Sequence, residues 1–212
     1  MRVVTIQSDA DWQVALDTAI QTLTWGGTIV YPTDTVYGLG ANALNPIAVR
    51  KIFRIKGRGN EKALPILVRN LAWAKELAHI EGRQQEILKA VWPGQVTVVL
   101  RKKDMVPDSV TGGLATVGLR VPDHLRVLQL LDRFGYPIIG TSANLSGHES
   151  IDNGAKAVEE FSHGGECPDV IIDAGELEAR GPSTILDLSG EIPKILRIGA
   201  AKPQQLIELL EL

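Results

Sequence analysis

Short apolar runs alternate with longer amphipathic stretches along most of the chain. Residues 2–6, 28–31, 64–68, 96–100, 116–121, 137–140, 170–173, 184–188 and 194–198 are rich in β-branched and aliphatic side chains. They are too short for stable helices and are bounded by Gly, Pro or Asn, which predicts strands. Residues 10–25, 46–55, 71–77, 84–91, 125–134, 155–161 and 203–210 carry apolar positions at helical spacing. In the first of these, Trp12, Ala15, Leu16, Ala19, Ile20 and Leu23 follow the cap candidate Ser8. Pro203 suits the first turn of the last. The alternation predicts an α/β or α+β domain with helices packed on a central sheet. A hairpin-like pair around Ser189-Gly190-Glu191 argues that the sheet is mixed rather than wholly parallel. With no Pro/Ser/Gly-rich linker and no internal repeat, the expectation is one domain over residues 1–212.

Composition narrows the function classes. The chain is 44% hydrophobic and 22% charged, with a net charge of -3, which excludes a disordered tail, a fibrous repeat or a bulk-charge nucleic-acid binder. One cysteine, Cys167, excludes an intrachain disulfide framework and a Cys-cluster zinc site. No apolar run reaches the roughly 18 residues of a membrane span, and the N-terminus lacks a signal core. A cytoplasmic protein without membrane contact is expected, and the Asn144-Leu145-Ser146 sequon reads as accidental. The charge is uneven. Residues 50–103 hold 13 basic and 4 acidic residues, against 8 basic and 17 acidic over 104–212. A neutral-looking protein thus has a basic middle that calls for an anion.

Four segments can carry chemistry. Residues 31–42 end an apolar run in Pro, then flank a carboxylate with two hydroxyls ahead of close glycines. Taken alone this is equally a ligand-presenting strand end or a Gly-rich turn. Around Lys56-Gly57-Arg58, with Lys62 beyond, Gly57 would release a helix so that Lys56 and Arg58 reach into a cleft. Arg50, Lys51 and Arg54 fit a solvated face. Residues 140–147, with Ser142 and Asn144, follow the apolar run 137–139, and ligands commonly bind at such strand ends. Neither a serine-hydrolase triad nor a Walker loop is present. Finally, Arg120 and Arg197 interrupt apolar runs. Each is equally a ligand contact or half of an ion pair, Asp187 being one possible partner. His124 and Cys167 read as structural. No His/Asp/Glu spacing suggests a protein-held metal, so any metal would be Mg²⁺ carried by phosphates and water.

In this order, the segments resemble the YrdC/TsaC family of threonylcarbamoyl-AMP synthases. The matching words are YPTDTVYGLGANA at 31–43, KIFRIKGR at 51–58, WPGQVTVVL at 92–100, VGLRVPDH at 117–124, GTSANLSG at 140–147, GPSTILDL at 181–188 and ILRIGA at 195–200. Lys56, Arg58, Ser142 and Asn144 match the family's Lys-x-Arg and Ser-x-Asn tetrad. The resemblance implies a twisted mixed sheet with helices around a basic concave cleft. It implies condensation of L-threonine, bicarbonate and ATP, with Mg²⁺, into threonylcarbamoyl-AMP and pyrophosphate. Partner proteins would then transfer the threonylcarbamoyl group to tRNA. Thr35, Arg120 and Ser183 would hold threonine. Arg58, Lys62, Thr116, Ser142 and Arg197 would hold the nucleotide, and Lys56 would help stabilise phosphate charge. Gly59 stands where some relatives carry Pro, and Leu67 where many carry His, so one threonine-side contact is expected to be absent or replaced. Longer relatives carry an extra C-terminal domain, and the catalytic domain alone is expected here. The alternatives are a YrdC-like paralogue that binds nucleotide for another acceptor, or a module contacting structured, double-stranded RNA through the same cleft.

Overall fold

The computed structural model describes residues 1–59, 62–163, 165–178, 181–201, 206, 208 and 210. Eleven strands run in chain order: β1 (Arg2–Thr5), β2 (Thr28–Tyr31), β3 (Gly38–Ala41), β4 (Ile66–Leu67), β5 (Val96–Arg101), β6 (Thr116–Arg120), β7 (Ile138–Ile139), β8 (Thr141–Ser142), β9 (Val170–Asp173), β10 (Thr184–Asp187) and β11 (Lys194–Arg197). The helices are α1 (Asp9–Thr24), α2 (Pro46–Lys56), α3 (Leu71–Leu77), α4 (Gly82–Val91), α5 (Asp108–Thr111), α6 (Leu125–Phe134) and α7 (Gly154–Glu160). Periodicity located all of these but β3, β8 and the single turn α5. The expected helix over 203–210 lies mostly outside the described residues, although Leu206 and Leu210 are buried.

Pairing is mixed, as expected, but the strands divide between two sheets. One has the order β1-β9-β2-β3-β8 and the other β11-β10-β5-β6-β4-β7. In the first, β9 is parallel to β1 and β2, and β3 is antiparallel to β2 and β8. In the second, β5 is parallel to β10 and antiparallel to β6, and β11 closes the hairpin with β10.

Both faces of the first sheet are covered. Ile29 and Tyr31 point into a cluster with Trp12, Leu16 and Leu23 of α1 and Leu130, Leu131 and Phe134 of α6. Val30 points the other way, into a core shared with Val49, Ile52 and Phe53 of α2. Burial on both faces explains why β2 reads as an unbroken apolar run rather than an alternating one. Local signals set the helix ends. Ser8 caps α1 by accepting from Asp11 N–H, Asn45 caps α2 ahead of Pro46, and Asn70 and Asn153 cap α3 and α7.

The two sheets meet where β7 passes into β8 through Gly140. A Cβ on Gly140 would lie 2.6 Å from Leu67 Cγ, so only glycine lets the chain cross there. Gly40 has the same role in β3. Its missing Cβ would sit 2.7 Å from the Tyr31 ring and 2.8 Å from Ile138, while the Tyr31 hydroxyl donates to Ile139 O at 3.0 Å.

Candidate active site

The second sheet has two unlike faces. Val96, Val98 and Leu100 of β5, Val117 and Leu119 of β6, and Leu186 of β10 enter the core. The alternate positions Thr97, Val99, Thr116, Gly118, Arg120, Ile185 and Asp187 line a cavity of about 600 Å³. Strand periodicity of two thus makes the sheet face the floor of a cleft. The walls come from the loop after β2, the C-terminal end of α2, residues 140–147 and the turn before β10.

All ten site residues expected from the sequence border this one cavity: Thr35, Lys56, Arg58, Lys62, Thr116, Arg120, Ser142, Asn144, Ser183 and Arg197. They come from seven separate stretches of chain. Thr97 is an addition. Its hydroxyl lies 2.8 Å from that of Ser183, and the alternation within residues 96–100 is the signal that could have marked it.

One end of the cleft is closed and tightly bonded. Arg120 is 6% exposed. Its Nε donates to Gly94 O at 2.8 Å, its Nη1 to Thr35 Oγ1 at 3.2 Å, and its Nη2 to the Asp34 carboxylate. The ion-pair partner is therefore Asp34, not Asp187, whose Oδ1 instead accepts from the Ser189 N–H and hydroxyl. Proton accounting fixes the polarity at Thr35. Thr33 Oγ1 has one hydrogen, directed to Val36 O at 2.6 Å. The Thr33–Thr35 hydroxyl contact of 2.9 Å is then donated by Thr35. With its proton engaged, Thr35 Oγ1 offers only acceptor capacity to a ligand. Leu67 packs beneath Gly140 and, with Tyr31 and Tyr37, borders a recess of about 20 Å³ at this end. No imidazole is presented there.

The other end is cationic and more open. Helix α2 ends at Gly57, whose φ of 58° is left-handed backbone that glycine adopts without strain. The Gly57 and Arg58 N–H groups close the helix on Arg54 O and Phe53 O. Arg58 Nη2 donates to Ala63 O at 3.4 Å, and Lys62 is exposed. Arg197 is also exposed and clamps Ser183 O through Nε and Nη2 at 3.1 and 2.7 Å. Gly59 is exposed, immediately before residues outside the description. Of the neighbouring basic residues, Lys51 donates to Gly26 O and Arg54 pairs with Glu166 at 3.1 Å.

Lys56 stands between the two ends. It is only 4% exposed. Its Nζ donates to Ser142 O and Asn144 O, each at 2.7 Å, and its carbonyl accepts Ser146 N–H at 3.0 Å. It thus fastens the 140–147 loop to α2. Burial, with help from the Arg58 charge and against Glu160, pushes the ammonium down to a pKa of about 8. Both N–H bonds of the Asn144 amide are engaged, by Leu145 O and His148 O at 2.8 Å. Its Oδ1 is buried with no hydrogen-bond partner among the described residues. Among those residues, no group of three His, Cys, Asp or Glu side chains could hold a metal ion by itself.

The Sua5/YciO/YrdC family model, described as telomere recombination, matches residues 21–199. The chain belongs to this family. The match includes all ten of these cleft residues. Threonylcarbamoyl-AMP synthase of Pyrococcus abyssi is 39% identical over 186 residues, covering 87% of this chain and 54% of that protein. The Bacillus subtilis enzyme of the same name is 36% identical over 180 residues, covering 84% and 51%. The chain therefore spans about half the length of these curated relatives. The crystal structure of Pyrococcus abyssi Sua5 complexed with L-threonine superposes with a TM-score of 0.88 at 34% identity. It covers 99% of this chain and 60% of that one. The two-sheet arrangement is thus that of the Sua5/YciO/YrdC family, whose sequence motifs border the cleft. Among the described residues, no helix is long and apolar enough to cross a membrane.

Proposed function

We propose that this chain is a threonylcarbamoyl-AMP synthase, a transferase that condenses L-threonine, bicarbonate and ATP. The observation that carries the reading is the convergence of ten polar side chains, from seven stretches, on one cavity. It is joined by relatives of that name and by the Pyrococcus abyssi structure solved with L-threonine.

The threonine amine and bicarbonate form N-carboxy-threonine with loss of water. A carbamate oxygen then attacks the α-phosphorus of ATP, a new O–P bond forms, and pyrophosphate leaves with the bridging oxygen. Arg120 receives the threonine carboxylate, Thr35 accepts a hydrogen bond from its ammonium or hydroxyl, and Ser183 completes the grip. Arg58 and Lys62 bind the phosphates, and Thr116, Ser142 and Arg197 position the nucleotide. Lys56 supplies positive charge beneath the loop that it holds. No covalent nucleophile is required, and the rate enhancement comes from positioning and oriented charge. Mg²⁺ enters with ATP as part of the substrate and neutralises phosphate charge. Asn144 Oδ1, an acceptor whose amide N–H groups are already engaged, suits a cation or a donor rather than a phosphate oxygen. The product would pass to proteins that transfer the threonylcarbamoyl group to tRNA in the cytoplasm.

Purified protein given MgATP, radiolabelled bicarbonate and L-threonine should release pyrophosphate and form threonylcarbamoyl-AMP. Product with another amino acid but not threonine would replace this reading with that of a paralogue. Tight binding of double-stranded RNA with no product under any of these conditions would make the cleft a binding module.

A further inference from the structure

Asp34 lies behind Arg120 rather than in the cleft. The two side chains are 10% and 7% exposed, and they pair through Asp34 Oδ1 and Arg120 Nη2. Asp34 Oδ2 accepts the Asp123 backbone N–H at 3.3 Å, and the Asp34 carbonyl accepts Gln95 Nε2 at 2.6 Å. Asp34 borders a second cavity of about 980 Å³ that also touches Asp123 and His124, while Arg120 borders the cleft. The pair stands in the wall between the two cavities, so Asp34 has no place among the ligand contacts.

A guanidinium presents five N–H bonds in one rigid plane. Three are assigned here, to Gly94 O, Thr35 Oγ1 and the Asp34 carboxylate. One N–H on each terminal nitrogen has no partner among the described residues and is available to a ligand. Gly94 fixes only the Nε corner and Thr35 only one terminal nitrogen. The second terminal nitrogen is held by Asp34, whose own position is set by the backbone on both sides. Exchanging a buried ion pair for apolar groups costs a fold little or nothing. Holding the plane of a receptor, by contrast, needs a directional acceptor at that nitrogen.

The geometry points to Asp34 as a positioning residue for amino-acid recognition. It fixes the plane of the Arg120 guanidinium so that the two remaining N–H bonds meet the substrate carboxylate. This rests on the proposed function, in which Arg120 is the carboxylate receptor. Direction and charge oppose each other here. Removing Asp34 deletes a negative charge near the incoming carboxylate, which favours binding, but frees the guanidinium to turn, which disfavours it. The directional effect dominates, because displacing a binding group by about 1 Å costs on the order of 10²-fold.

The test compares Asp34→Ala with Asp34→Asn, which keeps an acceptor oxygen at the same place. Calorimetric titrations with L-threonine and with a non-hydrolysable ATP analogue are run on each. For Asp34→Ala the threonine Kd should rise on the order of 10²-fold while that of the analogue stays within about threefold. Asp34→Asn should recover at least about tenfold of the loss through its retained acceptor. Unchanged or tighter threonine binding by Asp34→Ala, or equal loss of both ligands, overturns the proposal. So does failure of both variants to fold while Arg120→Gln folds. If the wild-type protein binds no threonine, it is the functional reading that fails. The Asp34 role is then decided by hydrogen exchange at Arg120 Nε–H, followed by NMR. At least about tenfold acceleration in Asp34→Ala upholds it, and an unchanged rate overturns it.

Discussion

Arg120 and Arg58 both line the cleft, yet they are held in different ways. Arg120 is enclosed and bonded to a carbonyl, a hydroxyl and a carboxylate on two other segments. Arg58 follows a helix terminus, beside the exposed Lys62 and across from the exposed Arg197. The first arrangement presents a few donors and acceptors in fixed directions, which suits a small rigid ligand. The second presents long cationic side chains that follow a larger, multiply charged one, for which direction matters less than charge. A pair of substrates as unlike as an amino acid and a triphosphate calls for both.

The contrast is tested most severely through stability. Arg120→Ala would leave the Asp34 carboxylate buried and unpaired, at a cost of about 3–5 kcal/mol. Lys62→Ala should stay within about 0.5 kcal/mol of the wild type. Urea denaturation of the two variants measures this, and equal losses would erase the distinction between the ends. Next comes catalysis at the open end. Arg58→Ala or Ser142→Ala should lower threonine-dependent pyrophosphate release on the order of 10²-fold. For Arg58→Ala, threonine affinity should be unchanged. A loss of threonine binding there would mean that the cationic end also handles the amino acid.

Lys56 joins the two ends, and its titration gives a third test. Its native pKa of about 8 lies below the ordinary 10.5, so above pH 8 the folded protein releases a proton that the unfolded chain retains. Stability should therefore rise with pH, by about 1 kcal/mol between pH 8 and 9. Affinity for a triphosphate analogue should fall over the same interval as the positive charge is lost. The neutral amine keeps two N–H bonds for Ser142 O and Asn144 O, so the loop should stay fastened. Denaturation and binding curves at each pH follow both trends, and Lys56→Met should flatten them. Flat curves in the wild-type protein would mean that Lys56 does not titrate in this range.

How much of this was legible beforehand follows from what each residue must do. Helices such as α1 and α6 declare themselves through 3.6-residue spacing, and β5 and β6 through apolar runs. Strand β3 does not, because Gly38 and Gly40 have no strand preference. They are there to let Tyr31 pass, and that packing is not local in sequence. Division into two sheets depends on which strands pair, and periodicity does not encode pairing. The cleft residues could be named because their motif words recur in a family. Asp34 lay within one of those words yet could not be given a part. A carboxylate between two hydroxyls becomes a brace for Arg120 only when a segment 86 residues away folds against it.

The mildest test concerns Thr33, which touches no donor of Arg120 but sets the hydroxyl that does. Its oxygen accepts from Thr35 N–H at 3.1 Å and from the Thr35 hydroxyl at 2.9 Å, while its proton goes to Val36 O. Thr33→Val removes all three bonds with almost no change in shape. The Thr35 hydroxyl is then free to rotate and can turn its proton toward the ligand. Each hydrogen bond contributes about 1 kcal/mol, and Thr35 can recover some of the loss through new partners. Stability should fall by about 1–2 kcal/mol. Threonine affinity should weaken about fivefold, with binding of the ATP analogue unaltered. Thr33→Ser keeps the oxygen and should bind threonine like the wild-type protein. If Thr33→Val also did so, Thr35 would not depend on Thr33 for its polarity. The closed end would then owe its directionality to Arg120 and Asp34 alone.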